Sequence, residues 1–225
     1  MKTPVKPTGL LLTVLMAAAC SSAPQPATDA APQQSADTDQ LEALYRARAD
    51  SAMRRFTYSD VSFMTGMIGH HAQALVLARL SPTHGASPAI QTLSARIINA
   101  QQDEIATMQQ WLRDRRQPVP EIVIAGTSLM VYGPSYAVHM PGMLTPGQIE
   151  RLDNARGPEF DRLFLTFMIQ HHKGAVTMVE NLFRTDGAAQ DEAVFKIASD
   201  IQVDQRTEIA RMELMLEELP EPGSM

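Results

Sequence analysis

The feature that most constrains this chain is a twelve-residue segment that occurs twice. The first copy runs from Phe63 to Ala74 and the second from Phe164 to Ala175, so the copies are offset by 101 residues. Each copy contains Met-Ile-x-His-His, and together they hold four of the six histidines: His70, His71, His171 and His172. A repeat of this length indicates a duplicated structural unit. Two equivalent histidine pairs also suggest a site built between the halves.

A second repeat follows each copy of the first. The segment from Ile97 to Met108 matches the segment from Ile201 to Met212, with Gln and Glu at equivalent places. Apolar residues at helical spacing predict a long helix for each segment. Each half is therefore a helical hairpin, with halves at about 41–117 and 148–219. Two hairpins make a duplicated four-helix bundle, so the expected fold class is all-α.

The helix boundaries follow from capping and breaking residues. The predicted helices are 41–80 (one helix, or two with a cap at Ser59-Asp60), 88–115, a short one from Thr145 to Ala155, 159–183 and 190–219. The bundle domain thus spans 41–219, and a tail, 220–225, follows. Pro and Gly interrupt the loop 118–147, which is expected to be irregular and, because of its length, functional.

The histidine pairs are placed on the helix faces by their spacing. On the first helix, His71 is predicted near the centre of the buried face and His70 on its flank. His172 and His171 occupy the equivalent places on the later helix, so His71 and His172 are expected to be the central ligands of a metal site and His70 and His171 the flanking ones. A single histidine on an apolar face is usually structural, but the duplicated pairs favour a metal site.

Methionine thioethers accompany the histidines. Met67 lies one turn before His71, and Met168 has the same relation to His172. Thioether with imidazole is a soft ligand set that favours Cu(I) or Ag(I) over Mg²⁺ or Ca²⁺. The alternative is structural, because Met at helical spacing usually fills a core. A second cluster of these residue types lies in the loop: His139, Met140 and Met143.

Two carboxylates interrupt the apolar stripes of the helices that follow the histidine pairs. Glu104 and Glu208 are the residues concerned, and buried carboxylates are rare unless paired or metal-bound. They are expected either to take part in a metal site or to hydrogen-bond His71 and His172 and orient the rings. The hypothesis of a ferritin-type di-iron centre is weakened because the Glu-x-x-His motif of such centres does not occur in the sequence.

The N-terminus is predicted to be a lipoprotein-type signal peptide, residues 1–19. Lys2 and Lys6 precede an apolar run that is too short to span a bilayer. Cys20, the only cysteine, follows directly and is expected to be lipidated, which would anchor the protein to the membrane. An ordinary secretory signal with an incidental cysteine is the alternative. Residues 20–40 are rich in Ala, Pro, Gln and Ser, which predicts a disordered tether.

With its two Met-Ile-x-His-His segments, the His139-Met140-Pro141-Gly142-Met143 loop and Gly174-Ala175, the sequence resembles the bacterial family called domain of unknown function 305, DUF305. The resemblance covers about Asp50 to Leu219. It implies an exported protein with a ferritin-like bundle, and the CopM-like members bind copper or silver in the periplasm through Met and His. It therefore implies these residues as ligands to test: His70, His71, His171, His172, Met67, Met168, His139, Met140 and Met143.

The expected function is binding of Cu(I), Ag(I) or another transition metal in the bacterial envelope, facing the periplasm, for storage, buffering or resistance. A metal-dependent oxidoreductase and a metal-free interaction module are the alternatives. The net charge of −6 argues against nucleic acid as a partner. No nucleophile motif identifies an enzyme, and the oligomeric state, including a homo-oligomer, stays open.

Overall fold

The computed structural model describes residues 31–52, 55–133 and 140–220. The chain divides into two compact units, residues 1–45 and 46–225. The elements of the described residues are helices α1 (Ala31–Ala52), α2 (Tyr58–Ala78), α3 (Pro88–Asp114), α4 (Pro146–Asn154), α5 (Pro158–Arg184) and α6 (Glu192–Glu217), and strands β1 (Glu121–Ala125) and β2 (Ser128–Tyr132). In these ranges no helix combines the length and apolarity needed to cross a membrane.

Helix α1 differs from the tether predicted over residues 20–40. The chain is helical from Ala31, and residues 37–48 are exposed to solvent. Ala and Gln, which are frequent in this stretch, are good helix formers and account for the earlier start. Residues 1–30, which include the predicted signal peptide and Cys20, lie outside the described residues.

A capping box separates α1 from α2, so the pattern predicted over 41–80 forms two helices. The hydroxyl of Thr57 accepts the Asp60 N–H at 3.2 Å, and the Asp60 carboxylate accepts the Thr57 N–H at 2.7 Å. Thr57, rather than Ser59, is therefore the N-cap. The reciprocal bonds satisfy donors that the first helical turn would otherwise leave unpaired.

The bundle consists of α2, α3, α5 and α6, which confirms the all-α expectation. Helices α2 and α3 form one hairpin and α5 and α6 the other; α2 packs against α5, and α3 against α6. The short helix after Thr145 is also present, with Thr145 and Gln148 in a capping box. The tight turns and amphipathic stripes explain why these boundaries agree with the sequence pattern.

The loop 118–147 is not wholly irregular, because it contains an antiparallel β-hairpin. Strands β1 and β2 pair from Glu121 with Tyr132 to Ala125 with Ser128, and Gly126 adopts a positive φ of 59° in the turn. The run Ile-Val-Ile in β1 is typical of a strand, whereas the prediction of an irregular loop rests on the nearby Pro and Gly alone. The hairpin packs against α2. Consequently α2 is buried on nearly all sides and presents no polar face.

The two repeated aspartates connect the hairpins. Asp60 in α2 accepts the N–H of Ala189, just before α6, at 2.7 Å. Asp161 in α5 accepts the N–H of Ser87, the N-cap of α3, at 3.2 Å. Each aspartate therefore fixes the start of the second helix of the other hairpin. Asp60 and Asp161 lie three residues before the two copies of the repeat, at the same offset of 101 residues, and these bonds give the two positions equivalent roles.

Replacing Asp60 with Ala should lower the free energy of unfolding by about 1–3 kcal/mol, because the buried N–H of Ala189 then loses its acceptor. Urea denaturation followed by circular dichroism measures this change. Asp103 on α3 is exposed, and Asp103→Ala serves as the control with little expected effect. Equal unfolding midpoints for the two variants would contradict a connecting role for Asp60.

Candidate metal site

The four histidines lie where the two apolar clusters of the bundle core meet. On α2, His70 and His71 lie between Ile68 of one cluster and Ala74 of the other. The equivalent positions of the other bundle helices are also polar. We call this set the polar layer: His70, His71, Gln101, His171, His172 and Gln205. Its side chains are at most 2% exposed, so the layer carries the desolvation cost of polar groups inside a core.

A close pair of imidazoles, with ring planes inclined by 35°, forms the centre of the polar layer. The ring centroids of His70 and His171 are 3.9 Å apart, whereas His70 and His71 are separated by 6.4 Å. The sequence pattern places His70 and His171 on the flanks of their helices, but both are fully buried. The hairpin and the segment that follows it cover α2, so this flank is an interior surface.

Glutamates orient the two outer histidines. His71 Nε2 donates to Glu104 at 2.7 Å, and His172 Nε2 donates to Glu208 at 2.7 Å, which confirms the pairing proposed from the sequence. Carboxylate oxygens accept hydrogen bonds, so these contacts assign the donating N–H to Nε2 in both rings. In a neutral imidazole the lone pair then lies on Nδ1.

The central histidines are kept neutral by their surroundings. Burial, followed by the neighbouring His71, lowers the pKa of His70 to about 3, although its bond to the Pro141 carbonyl opposes the shift. Burial, and then the positive charge that His70 and His172 would carry, hold the pKa of His171 well below its usual value. The nearby His70 backbone raises this pKa, but its effect is the smallest. His70 Nε2 donates to the Pro141 oxygen at 3.0 Å, leaving its Nδ1 lone pair free.

Five buried imidazole nitrogens lack a hydrogen-bond partner among the described residues. They are Nδ1 of His70, His71 and His172 and both ring nitrogens of His171. The amide of Gln101 and the amide oxygen of Gln205 are also unpaired there. Buried polar groups are nearly always satisfied, so such a concentration requires an explanation such as a bound ion or water. Three of these rings show the arrangement typical of metal ligands, with one nitrogen bonded to an oxygen acceptor and the other free.

The side chains nevertheless do not form a closed, multidentate cage. Within the described ranges, no three His, Cys, Asp or Glu side chains have the geometry to hold a metal ion. Next to the layer, Glu104 and Glu208 lie close enough to Asp204 to raise the pKa of its carboxyl, after the larger effect of burial. Carboxylates from α3 and α6 therefore border the polar layer. Two of them, Glu104 and Glu208, are hydrogen-bonded to imidazoles of the layer.

The predicted methionines fall into two groups. Met67 and Met168 are fully buried members of the apolar clusters, one in each. Met140 and Met143 are partly buried in the segment after the hairpin, where the Met143 N–H bonds to the Met140 carbonyl. His139 lies outside the described residues. The structure thus brings the four helical histidines together, while the described methionines lie in the core or the covering segment.

We call residues 140–144 the covering segment, because it supplies the Pro141 carbonyl to His70. The Gln73 amide accepts the Leu144 N–H at 2.7 Å and donates to the Leu144 carbonyl at 3.1 Å. Gly142, with a φ of 76°, lies directly against Gly174 of α5. Gln73 was not among the predicted site residues, although an amide on a helix with so few polar positions was a usable signal.

The model of the family "Domain of unknown function (DUF305)" matches residues 60–217. The chain belongs to the DUF305 family. No curated protein matches the sequence. The family assignment therefore establishes the fold of the bundle.

Several solved structures share the DUF305 fold. A DUF305 fragment from Deinococcus radiodurans is 31% identical with a TM-score of 0.60, covering 73% of this chain and 99% of that one. A DUF305 protein from Streptomyces coelicolor, described as secreted, is 22% identical with a TM-score of 0.59, covering 71% and 91%. CopM in its Cu(I)-bound form is 26% identical with a TM-score of 0.53, covering 72% and 97%. CopM has also been solved in Cu(II)-bound and Ag-bound forms.

Proposed function

We propose that this DUF305 protein binds Cu(I) or Ag(I) in the bacterial envelope, for storage, buffering or resistance. The observation that carries the proposal is the polar layer, in which His70, His71 and His172 each have one oriented ring nitrogen and one free nitrogen. Ligating histidines are usually oriented in this way. The metal-bound structures of CopM support the same chemistry in a protein of this fold.

The chemistry of the layer favours a soft ion of low charge. Neutral imidazoles with nearby thioethers match Cu(I) and Ag(I), whereas Mg²⁺ and Ca²⁺ prefer several oxygen ligands. Soft monovalent ions are also stable at low coordination numbers, so they do not need three converging His or carboxylate side chains. All four histidines would contribute ligands. The sequence pattern favours His71 and His172 as the central ligands, whereas the 3.9 Å between the ring centroids of His70 and His171 supports a central place for this pair as well.

The location proposed for this binding is outside the cytoplasm. The signal-like segment 1–19 and a lipid on Cys20 would place the bundle at a membrane surface facing the periplasm. The Streptomyces coelicolor relative described as secreted supports export. A Cys20→Ser variant that still fractionates with the membrane would contradict the lipid anchor.

Changing His71 and His172 together to Ala should abolish most tight Cu(I) binding while leaving the protein helical. The two changes remove the imidazoles that Glu104 and Glu208 orient. A competitive titration of purified protein with Cu(I), against a chelator of known affinity, measures the loss, and circular dichroism checks the fold. Zn(II) and Fe(II) titrations in parallel separate a soft-metal site from a ferritin-like centre.

The wild-type titration also has an outcome that would reject the proposal. If the wild-type protein binds none of the three metals stoichiometrically, the histidines are structural and an interaction module becomes the better interpretation. Tight Fe(II) binding with oxygen consumption would instead favour the oxidoreductase. Unchanged Cu(I) stoichiometry in the double variant would remove His71 and His172 from the site.

A further inference from the structure

The outward face of α6 carries an apolar stripe that the described residues leave uncovered. Val203 is 63% exposed and Leu214 is 62% exposed. Thr207 and Ala210 lie between them and are also exposed, so the four residues repeat at intervals of four, three and four. At about 100° per residue, this spacing places all four within about 60° of the helix circumference and along about 16 Å of its length. We call these residues the outer stripe.

Four exposed charged residues flank the outer stripe, with one acidic and one basic residue on each side. Asp204 and Arg211 lie on one side, seven residues apart. Arg206 and Glu213 lie on the other side with the same spacing. A separation of seven residues is about 10 Å along a helix, so the two charges on one side do not pair with each other. We call these four residues the flanking charges.

The duplicated halves of the chain provide an internal comparison for this face. From Ile201 to Met212, the buried residues of α6 are identical to those of α3 at an offset of 104 residues. The outer stripe corresponds to four exposed and mostly polar residues of α3: Asn99, Asp103, Ala106 and Gln110. The flanking charges correspond to four uncharged residues: Ala100, Gln102, Thr107 and Gln109. Packing inside the bundle, which both halves share, therefore does not account for the outer stripe.

We propose that two copies of this chain associate through their α6 helices, packed antiparallel along the outer stripe. Val203 of one copy then lies opposite Leu214 of the other, and Thr207 lies opposite Ala210. Because both copies use the same surface, each of these contacts occurs twice. The inference is independent of metal binding and goes beyond the proposed function.

The flanking charges favour a second copy in this orientation. In an antiparallel helix pair, Asp204 of one copy approaches Arg211 of the other, and the charges are opposite. On the other side of the stripe, Arg206 approaches Glu213, which is again an attractive pair. A parallel arrangement would instead bring Arg206 against Arg211. It would also bring Glu213 against Glu218, so both contacts would be repulsive.

The pair formed by Asp204 and Arg211 should contribute most to this orientation. Neither residue has an ion-pair partner in the part of the chain that the structure describes. Arg206 and Glu213 already form exposed ion pairs with α5, at 3.0 and 2.8 Å. Exposed ion pairs of this kind contribute little, so sharing them with a second copy costs little. The outer stripe spans only about three helical turns, and we therefore expect a weak, reversible dimer.

Sedimentation velocity of the purified full-length protein, in metal-free buffer and over a range of concentrations, tests the proposal. We expect a monomer–dimer equilibrium. Arg211→Glu should raise the dimer dissociation constant at least about tenfold, because it places a carboxylate opposite Asp204 of the other copy. Asp204→Arg should have a similar effect. The variant that carries both changes again has opposite charges at this contact and should dimerise like the wild type.

The matched control is Thr107→Glu, which adds an acidic side chain at the equivalent exposed position of α3. Its dissociation constant should equal that of the wild type, and circular dichroism checks that every variant is helical. Equal weakening by Thr107→Glu and Arg211→Glu would overturn the proposal, because the effect would then come from net charge.

Three further outcomes would also overturn the α6 pairing: a wild-type protein that stays monomeric at all concentrations, a dimer that Arg211→Glu leaves intact, or a double variant that does not recover association. None of them affects the proposed metal binding, which the Cu(I) titration measures separately.

Discussion

Replacing His171 with Leu should stabilise the metal-free protein and weaken its binding of Cu(I). Both ring nitrogens of His171 are buried without a hydrogen-bond partner among the described residues. An apolar side chain of similar size removes this unsatisfied polarity, which is worth about 1–3 kcal/mol. The same change deletes a central ligand, so Cu(I) affinity should fall by at least about tenfold. Urea denaturation and competitive Cu(I) titration measure the two effects.

The control for this experiment is His84→Leu, because His84 is buried but fully paired. Its Nδ1 lies 3.0 Å from the Thr83 hydroxyl, and its Nε2 lies 2.9 Å from the Asp153 carbonyl. Removing these bonds should destabilise the protein by about 1–3 kcal/mol and leave Cu(I) affinity unchanged. If His171→Leu behaves like His84→Leu in both measurements, the pair formed by His70 and His171 is structural and the proposed site is wrong.

Replacing Gly174 with Ala should destabilise the protein and release the covering segment from α5. The added β-carbon would collide with the Pro141 carbonyl and lie 2.7 Å from Gly142 Cα. The clashing atoms belong to the backbone, which cannot relieve the clash by changing rotamer as a flexible side chain can. Overpacking of this kind costs about 1–3 kcal/mol. Movement of Pro141 also removes the acceptor that orients His70, so Cu(I) affinity should fall together with the free energy of unfolding.

Gly147→Ala is the matched control for the covering segment. A β-carbon on Gly147 meets nothing within 4 Å, and this residue lies inside α4, where Ala is favoured over Gly by about 0.5–1 kcal/mol. This variant should therefore be slightly more stable than the wild type. Chemical denaturation of both variants compares them directly. A Gly174→Ala protein with wild-type stability and Cu(I) affinity would show that the contact between the segment and α5 is unimportant.

The sequence was sufficient for the bundle because its strongest signals are local and repeated. Thr145 and the helical stripes define α4 and the four bundle helices without reference to distant residues. The pairing of Glu104 with His71, and of Glu208 with His172, was also accessible, since a buried carboxylate needs a partner and the repeat supplied an equivalent one in each half.

The site was harder to predict because it depends on contacts between distant segments. Helical spacing placed His70 at the flank of a face, but the β-hairpin and covering segment bury that flank. Nothing local to Pro141 indicates that its carbonyl binds His70, which precedes it by 71 residues.

The exchange of bonds by Asp60 and Asp161 has the form of an isologous interface, in which each partner makes the same contact with the other. The covering segment interrupts this twofold relation, because it occurs once in the chain. His70 receives a backbone acceptor that fixes its tautomer, whereas neither ring nitrogen of His171 has a hydrogen-bond partner in the described ranges. The two halves are thus nearly symmetric, but their central imidazoles differ chemically. The tautomer of His70 is fixed by the Pro141 carbonyl, whereas His171 can present either ring nitrogen as the one with the lone pair.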